Sequence, residues 1–410
     1  MPRPTCRLCA AVLQRECVDL GVTPLCERYI TAEEYGAPEP CYALRAYVCS
    51  TCFLVQVEAL VDPVGIFSEY AYFSSYSTSW VAHAGRYADA AITGLGLDAR
   101  SLVVEIGSND GYLLQHFVAR GIPVLGVDPA ANVAAAAREK RVPTLVRFFG
   151  TAAARELVDG GRRADLIVAN NVLAQVPDLH DFAAGLAHLL GPGGVVTVEV
   201  PHLLRLLNEN QFDTIYHEHF SYFSLLTARR LFASHGLRCF DVEELPTHGG
   251  SLRLSLCHAE APRATDPAIA ELADREHAAG LEQLATYDAF AARVHESKRS
   301  ILEFFIEAKR RGCTVVGYGA PGKGNTLLNY CGIGTDFIDY TVDRNPYKQG
   351  KFLPGSRIPI HAPERIEQTK PDYVFILPWN LCDEIVGQMQ GIRAWGGRFV
   401  VPIPTLHVLP

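Results

Sequence analysis

The stretch Leu102-Val103-Val104-Glu105-Ile106-Gly107 constrains this chain most. An apolar run of that length, stopped by glycine, reads as a strand covered on both faces, because a half-exposed strand would alternate with polar residues. It enters the turn Ser108-Asn109-Asp110-Gly111, after which Tyr112, Leu113, Leu114 and Phe117 fall at helical spacing. A second strand, Val124 to Asp128, ends in an acid. Asp165 to Asn171 reads as a third strand, Asp181 to Leu190 as a helix, and Gly191-Pro192-Gly193-Gly194 as a turn into the strand Val195–Val200. Strands alternating with helices need crossover connections, so the expected class is α/β with a doubly wound parallel sheet. Such a sheet takes its ligand at the carboxyl ends of its strands, where Asp128 could bind ribose hydroxyls.

The first turn, Glu-x-Gly-Ser-Asn-Asp-Gly, is not the G-x-G-x-x-G that cradles a pyrophosphate. An acid on the first strand followed by one close glycine turn resembles the class I S-adenosylmethionine-dependent methyltransferases, whose cofactor has no pyrophosphate. That resemblance places Glu105 and Gly107 on the methionine side of the cofactor and Asp128 at its ribose. Asn170 and Asn171 then lie at the strand end facing the transferable methyl, with Asn109 and Asp110 completing the cofactor set.

Cysteines are concentrated at one end. Cys6-Arg7-Leu8-Cys9 and Cys49-Ser50-Thr51-Cys52 are two CxxC knuckles, and such a pair completes a closed four-thiolate site typical of structural zinc. The intervening Pro24, Gly36, Pro38 and Pro40 suit a loop-rich module that leans on its metal. Cys17, Cys26 and Cys41 are alternative ligands without a CxxC partner. Composition agrees with a folded chain, with 49% hydrophobic and 20% charged residues. A net charge of −8 without any Lys/Arg block argues against nucleic-acid binding. No apolar run approaches the roughly 20 residues of a membrane span. The first residues are too poor in apolar side chains for a signal peptide, so a cytoplasmic protein, monomeric or dimeric, is expected.

Proton chemistry concentrates in Asp213-Thr214-Ile215-Tyr216-His217-Glu218-His219-Phe220. His is the natural base near neutral pH, and a carboxylate can orient it. Adjacent residues of His-Glu-His do not face one ion, and the H-E-x-x-H spacing of a zinc protease is absent. Upstream, Tyr70, Tyr72, Ser74 and Ser75 supply phenols and hydroxyls for a lid or substrate wall. His248-Gly249-Gly250 suggests close backbone approach to a ligand or a tight bend.

Residues from about 265 to 309 read as long helices. Beyond them, Gly317-Tyr318-Gly319-Ala320-Pro321-Gly322-Lys323 forms a strand and glycine-rich turn, with Lys323 at a helix N-terminus, a ready anion site. The turn fits a dinucleotide fingerprint only loosely. The expectation is a second nucleotide fold whose Lys323 binds the substrate's diphosphate, ahead of a purely structural domain or a nicotinamide site. Lys348 and Lys351 are further phosphate candidates, and Trp379 is placed at the interdomain cleft.

Over its full length the chain resembles the sugar-nucleotide C-methyltransferases of deoxysugar biosynthesis. The matching elements are Cys6/Cys9/Cys49/Cys52, Tyr72-x-Ser74-Ser75, Glu105-x-Gly107-x-Asn109-Asp110-Gly111, Tyr216-x-Glu218-His219-Phe220, His248-Gly249-Gly250 and Gly317-Tyr318-Gly319-Ala320. The resemblance implies a zinc module over 1–65, a methyltransferase domain over 66–262, a helical linker over 263–310 and a nucleotide-fold domain over 311–410. It gives the acid/base work to Tyr216, Glu218 and His219, with Tyr72 nearby, and Tyr70, Ser74, Ser75, His248, Lys323 and Trp379 to the substrate. S-adenosylmethionine and structural zinc are the implied cofactors, and a nucleoside-diphosphate keto sugar the implied substrate. One departure is Gln175, where members of the family can carry His; Gln cannot take a proton. Methyl transfer to a sugar oxygen or amine is the alternative, with a non-catalytic binding protein behind it.

Overall fold

A computed structural model describes residues 4–67 and 73–409, so Tyr70 and Tyr72 lie outside the described residues. Three sheets organise the chain. The first contains β1 (Arg15–Thr23), β2 (Tyr42–Val48) and β3 (Val55–Val57) as an antiparallel meander. The second is built from β4 (Val103–Ile106), β5 (Val124–Asp128), β6 (Thr144–Val146), β7 (Ala164–Asn170) and β8 (Leu190–Pro201). Next in the chain, the short β9 (Ser221–Tyr222) leaves that sheet and pairs with β3, giving the first sheet its fourth strand. β10 (Leu237–Leu245) and β11 (Ser251–His258) return to the second sheet, whose order is β10-β11-β8-β7-β4-β5-β6.

In that second sheet β4 through β8 are parallel, while β11 runs antiparallel to both of its neighbours. The order reverses between β4, which leads to β5, and β7, which starts the other half. A crevice therefore opens over the ends of β4 and β7, where crossovers leave in opposite directions. The segment Gly191–Gly194 falls inside β8 and not before it, as a bulge between the Ala164–Leu190 and Leu166–Val195 pairings. A Cβ on Gly194 would stand 2.8 Å from the Ala164 carbonyl, which is why glycine occupies the position.

The third sheet has β12 (Val315–Tyr318), β13 (Thr341–Val342), β14 (Ile360–His361), β15 (Tyr373–Ile376), β16 (Arg398–Val401) and β17 (His407–Leu409). Its order is β14-β13-β12-β15-β16-β17, parallel except for the last strand. The expected helices between the second and third sheets are Ala268–Ala278 and Leu284–Arg310. The longer one buries Tyr287, Phe290, Val294, Ile301, Phe305 and Ala308, a single stripe at the 3.6-residue period. That stripe packs on β1 as well as on the third sheet's helix Gly322–Cys331.

The N-terminal module has no core of its own. Val18, Leu20, Leu44 and Val57 belong to one apolar cluster with Phe290, Phe305 and Phe375. Cys6, Leu8, Cys49 and Leu54 instead join the core on one face of the second sheet, with Phe223 and Leu225. Among the described residues no helix is long and apolar enough to cross a membrane.

Candidate active site

A cavity of about 560 Å³ runs from the β4–β7 crevice to the third sheet. Its first half is made by strand ends. Gly107 follows β4 at φ +69°, and a Cβ there would press on Val172 at 3.3 Å. Asn109, also left-handed at φ +48°, lines the cavity beside Asp128. Both Asp128 carboxylate oxygens accept backbone N–H bonds, Oδ2 from Asn109 at 2.8 Å and Oδ1 from Ala130 at 2.9 Å. Each oxygen keeps a further lone pair for a hydroxyl donor. The side-chain oxygens of Asn170 and Asn171 are buried in this half without a hydrogen-bond partner. Two orphaned acceptors at a crevice are costly unless a ligand donates to them. An aminocarboxylate with ribose hydroxyls, as in S-adenosylmethionine, supplies the missing donors, so Gly107, Asn109, Asp128, Asn170 and Asn171 fit that cofactor.

Two expected cofactor contacts stand elsewhere. Glu105 is fully buried beneath the turn, near Tyr112 and Leu114, and is not part of the cavity wall. Burial first, then Asp128 and Asp110, raises its pKa well above its ordinary value. Asp110 is paired with Lys140 at 3.0 Å and accepts from the Ser75 backbone N–H at 3.3 Å. Lys140 also donates to the Ser75 hydroxyl, which keeps Ser75 out of the cavity. Ser74 does reach the wall, its N–H donating to Asn109 Oδ1 at 2.9 Å.

The second half of the cavity holds the proton chemistry. His219 Nε2 and the Tyr216 hydroxyl are 3.1 Å apart, and both line the wall. With Nε2 unprotonated, the Tyr216 hydroxyl donates to it. Burial, and then the charges of His248 and Lys323, push the His219 pKa down to about 3. The imidazole is therefore neutral, and a weak base unless the charge it creates is stabilised.

Neighbours in sequence point elsewhere. His217 Nε2 faces the Ala43 carbonyl on β2 at 3.2 Å. Glu218, expected to orient His219, is outside the cavity wall; its Oε2 accepts from the Cys26 thiol at 3.1 Å. Cys26 is thereby excluded as a spare metal ligand. Tyr216–His219 is a turn closed by the His219 N–H on the Tyr216 carbonyl at 3.0 Å, which brings its two ends together and leaves the central His217 and Glu218 to β2 and the Cys26 loop.

His248 lines the cavity in a left-handed conformation at φ +56°. The glycine after it is needed because a Cβ on Gly249 would stand 2.7 Å from the Trp379 ring, so the close approach is to protein and not to ligand. Trp379 itself is a backing wall: its indole N–H donates to buried Asp213 at 2.7 Å, and its ring lies 4.6 Å from Lys323 Nζ. Lys323 does line the cavity.

Sequence reasoning missed Trp80, whose ring stacks on His83 at 5.0 Å and meets His248 edge-on at 5.0 Å. His83 in turn shares buried Glu199 with Arg253. It also missed Phe148 and Phe149, which follow β6 and line the cavity; their place after a strand end was a usable signal. Gln175 is on the wall near Asn171.

The four cysteine sulfurs Cys6, Cys9, Cys49 and Cys52 all lie within 4.8 Å of one another, as one tetrahedral ion requires. Backbone N–H groups of Leu8 and Thr51 point at Cys6 and Cys49 sulfurs at 3.4 Å each, the thiolate-stabilising geometry of a knuckle.

Family models match a zinc binding domain over residues 6–67, a methyltransferase domain over 80–242 and a C-methyltransferase C-terminal domain over 246–404. The chain is 39% identical over 408 residues to the C-methyltransferase NovU of Streptomyces niveus, covering 100% of this chain and 97% of that protein. A ubiquinone biosynthesis O-methyltransferase of Rhodopseudomonas palustris (strain BisB18) is 31% identical over 163 residues, covering 34% of this chain and 62% of that one. Among solved structures, magnesium protoporphyrin IX methyltransferase from Synechocystis PCC 6803 covers 44% of this chain and 81% of its own, at 15% identity and TM-score 0.33.

Proposed function

The chain belongs to the S-adenosylmethionine-dependent C-methyltransferases, and from that membership we propose that its substrate is a keto sugar carried on a nucleoside diphosphate, methylated at the carbon beside the carbonyl. The observation that carries this reading is the His219–Tyr216 pair at 3.1 Å, in one cavity with Asn170 and Asn171. S-adenosylmethionine supplies an electrophilic methyl group on a sulfonium. Carbon accepts such a methyl only as a carbanion equivalent, which requires an adjacent carbonyl and a base to remove the α-proton.

His219 is suited to that removal. Its Nε2 is on the cavity wall beside the Tyr216 hydroxyl, and in the tautomer with Nε2 unprotonated its lone pair can take the proton. The Tyr216 hydroxyl can follow the proton, donating to Nε2 beforehand and to a substrate oxygen afterwards. By resemblance Tyr72 stands as a second donor. Gly107, Asn109, Asp128, Asn170 and Asn171 would hold the cofactor, while Ser74, His248 and Lys323 form the substrate end of the cavity. The cytoplasm is the compartment proposed, since four zinc-bound thiolates need reducing surroundings.

Incubation with methyl-labelled S-adenosylmethionine and a panel of nucleoside-diphosphate keto deoxyhexoses tests the reading. The expected product carries its label on carbon, next to the former carbonyl. Label on oxygen or nitrogen, or none with any keto sugar, would overturn it.

A further inference from the structure

The third sheet reverses its order between β12 and β15, so a nucleotide fold of this kind would take its ligand between the turns Gly319–Lys323 and Pro378–Asn380. That crevice is already filled by the N-terminal module. The Gly322 backbone N–H, the donor a phosphate would use, is bonded to Glu27 Oε1 at 2.8 Å. The Ala320 carbonyl accepts from the Tyr29 hydroxyl at 2.5 Å and from Lys348 Nζ at 2.8 Å. Asn325 Nδ2 donates to the Cys26 carbonyl at 2.6 Å. Glu27 is thus an internal anion in the place of a diphosphate, and Lys348, a candidate phosphate partner by sequence, is buried in the same latch.

Lys323 is on the cavity wall with His219 and Tyr216, as are Gly322 and Glu27. Its ammonium donates to the neutral Asn380 Oδ1 at 2.8 Å and rests over the Trp379 ring. Buried Asp213 spends Oδ2 on the Trp379 indole, and its charge acts on Lys323 from a distance, without a direct salt bridge among the described residues. The contacts of this enclosed cation are an amide and an aromatic face, and the base lies on the same wall.

We infer that Lys323 stabilises the enolate: its ammonium binds the carbonyl oxygen beside the carbon that His219 deprotonates. This rests on the keto-sugar reading above. The α-C–H bond breaks, its proton goes to His219 Nε2, and its electron pair forms the C=C bond while the carbonyl π pair moves onto oxygen. Lys323 meets that charge by hydrogen bond and keeps its own proton. The C=C pair would then form the new bond to the methyl carbon as the carbon–sulfur bond breaks, its pair staying on sulfur as a neutral thioether, while a pair on oxygen restores the carbonyl. Such a partner is needed because a histidine held near pKa 3 is a feeble base unless the enolate is strongly stabilised. Burial brings Lys323 down only to about 8, so it is still mostly charged at neutral pH.

The test separates this role from diphosphate binding. Full-length wild type, Lys323→Gln and Lys323→Arg are incubated in D2O with the nucleoside-diphosphate keto sugar and no S-adenosylmethionine, and α-deuterium uptake is followed by mass spectrometry. Lys323→Gln is expected to lose exchange and kcat by about 10²–10³-fold, the usual cost of removing an oxyanion donor. Its KM, its affinity for uridine and thymidine diphosphates and its S-adenosylmethionine affinity should change little, and Lys323→Arg should recover part of the rate. Normal exchange in Lys323→Gln, with KM and nucleoside-diphosphate Kd raised tenfold or more, would make Lys323 a phosphate ligand and overturn the inference alone. No exchange by wild type, with no carbon-methylated product, would overturn the keto-sugar reading and this inference together.

Discussion

The Cys26 thiol donates to the Glu218 carboxyl across 3.1 Å, joining the N-terminal module to the residue just before His219. Glu218 is buried, and burial pushes its pKa up to about 7. In the native state it therefore keeps a proton that the unfolded chain has released above roughly pH 4.3. The folded form binds more protons across that window, so this group makes stability fall as pH rises toward 7. Glu218→Gln should abolish that slope. Melting temperatures of wild type and variant should agree near pH 4, and the variant should be the more stable at pH 8. Equal differences at both pH values would show that the carboxyl is not held protonated.

His219 and His217 make an internal pair of controls. His219→Asn should leave S-adenosylmethionine affinity intact and lower methyl transfer by about 10²–10⁴-fold, as loss of a general base does. His217→Asn should retain most activity, because its ring faces Ala43 and not the cavity. Calorimetry with the cofactor and labelled-methyl assays read the two effects. An essential His217 with a dispensable His219 would reverse the assignment.

The two acids of the cofactor half should behave oppositely. Asp128→Ala removes both the acceptor for ribose hydroxyls and the acceptor for the Asn109 and Ala130 N–H groups. One or two charge-assisted bonds at ~1.5–3 kcal/mol each predict a loss in S-adenosylmethionine affinity of about 10- to 100-fold or more. Glu105→Gln keeps the shape of a buried side chain that is not part of the cavity wall, and should change affinity by less than about threefold. Titration calorimetry on both variants decides it.

Zinc should reach the chemistry through β9. Ser221 and Tyr222 pair with Gln56 and Val55, so the strand just past His219 hangs from the sheet that the metal organises. Metal analysis should find about one zinc per chain, independent of S-adenosylmethionine. Cys49→Ser should lower the metal content and the melting temperature, and should also reduce kcat in the protein that remains folded. Unchanged kcat in that fraction would mean the module is only a structural appendage.

The strand–turn–helix periodicity of the second sheet, the paired CxxC knuckles and the Tyr216–His219 segment were legible because each is written in residues close together in sequence. Asp128, Asn170 and Asn171 could be placed by topology alone, since strand ends in a doubly wound sheet converge on the reversal point. Side-chain direction could not. Whether Glu218 or His219 faces the cavity depends on β2 and Cys26, over 170 residues away, which occupy the space on the other side. The glycine turn before Lys323 reads locally as a loose phosphate cradle, yet Glu27 fills it from 295 residues away. Local pattern fixes which conformation a segment prefers; only the packed chain decides which of its donors are already taken.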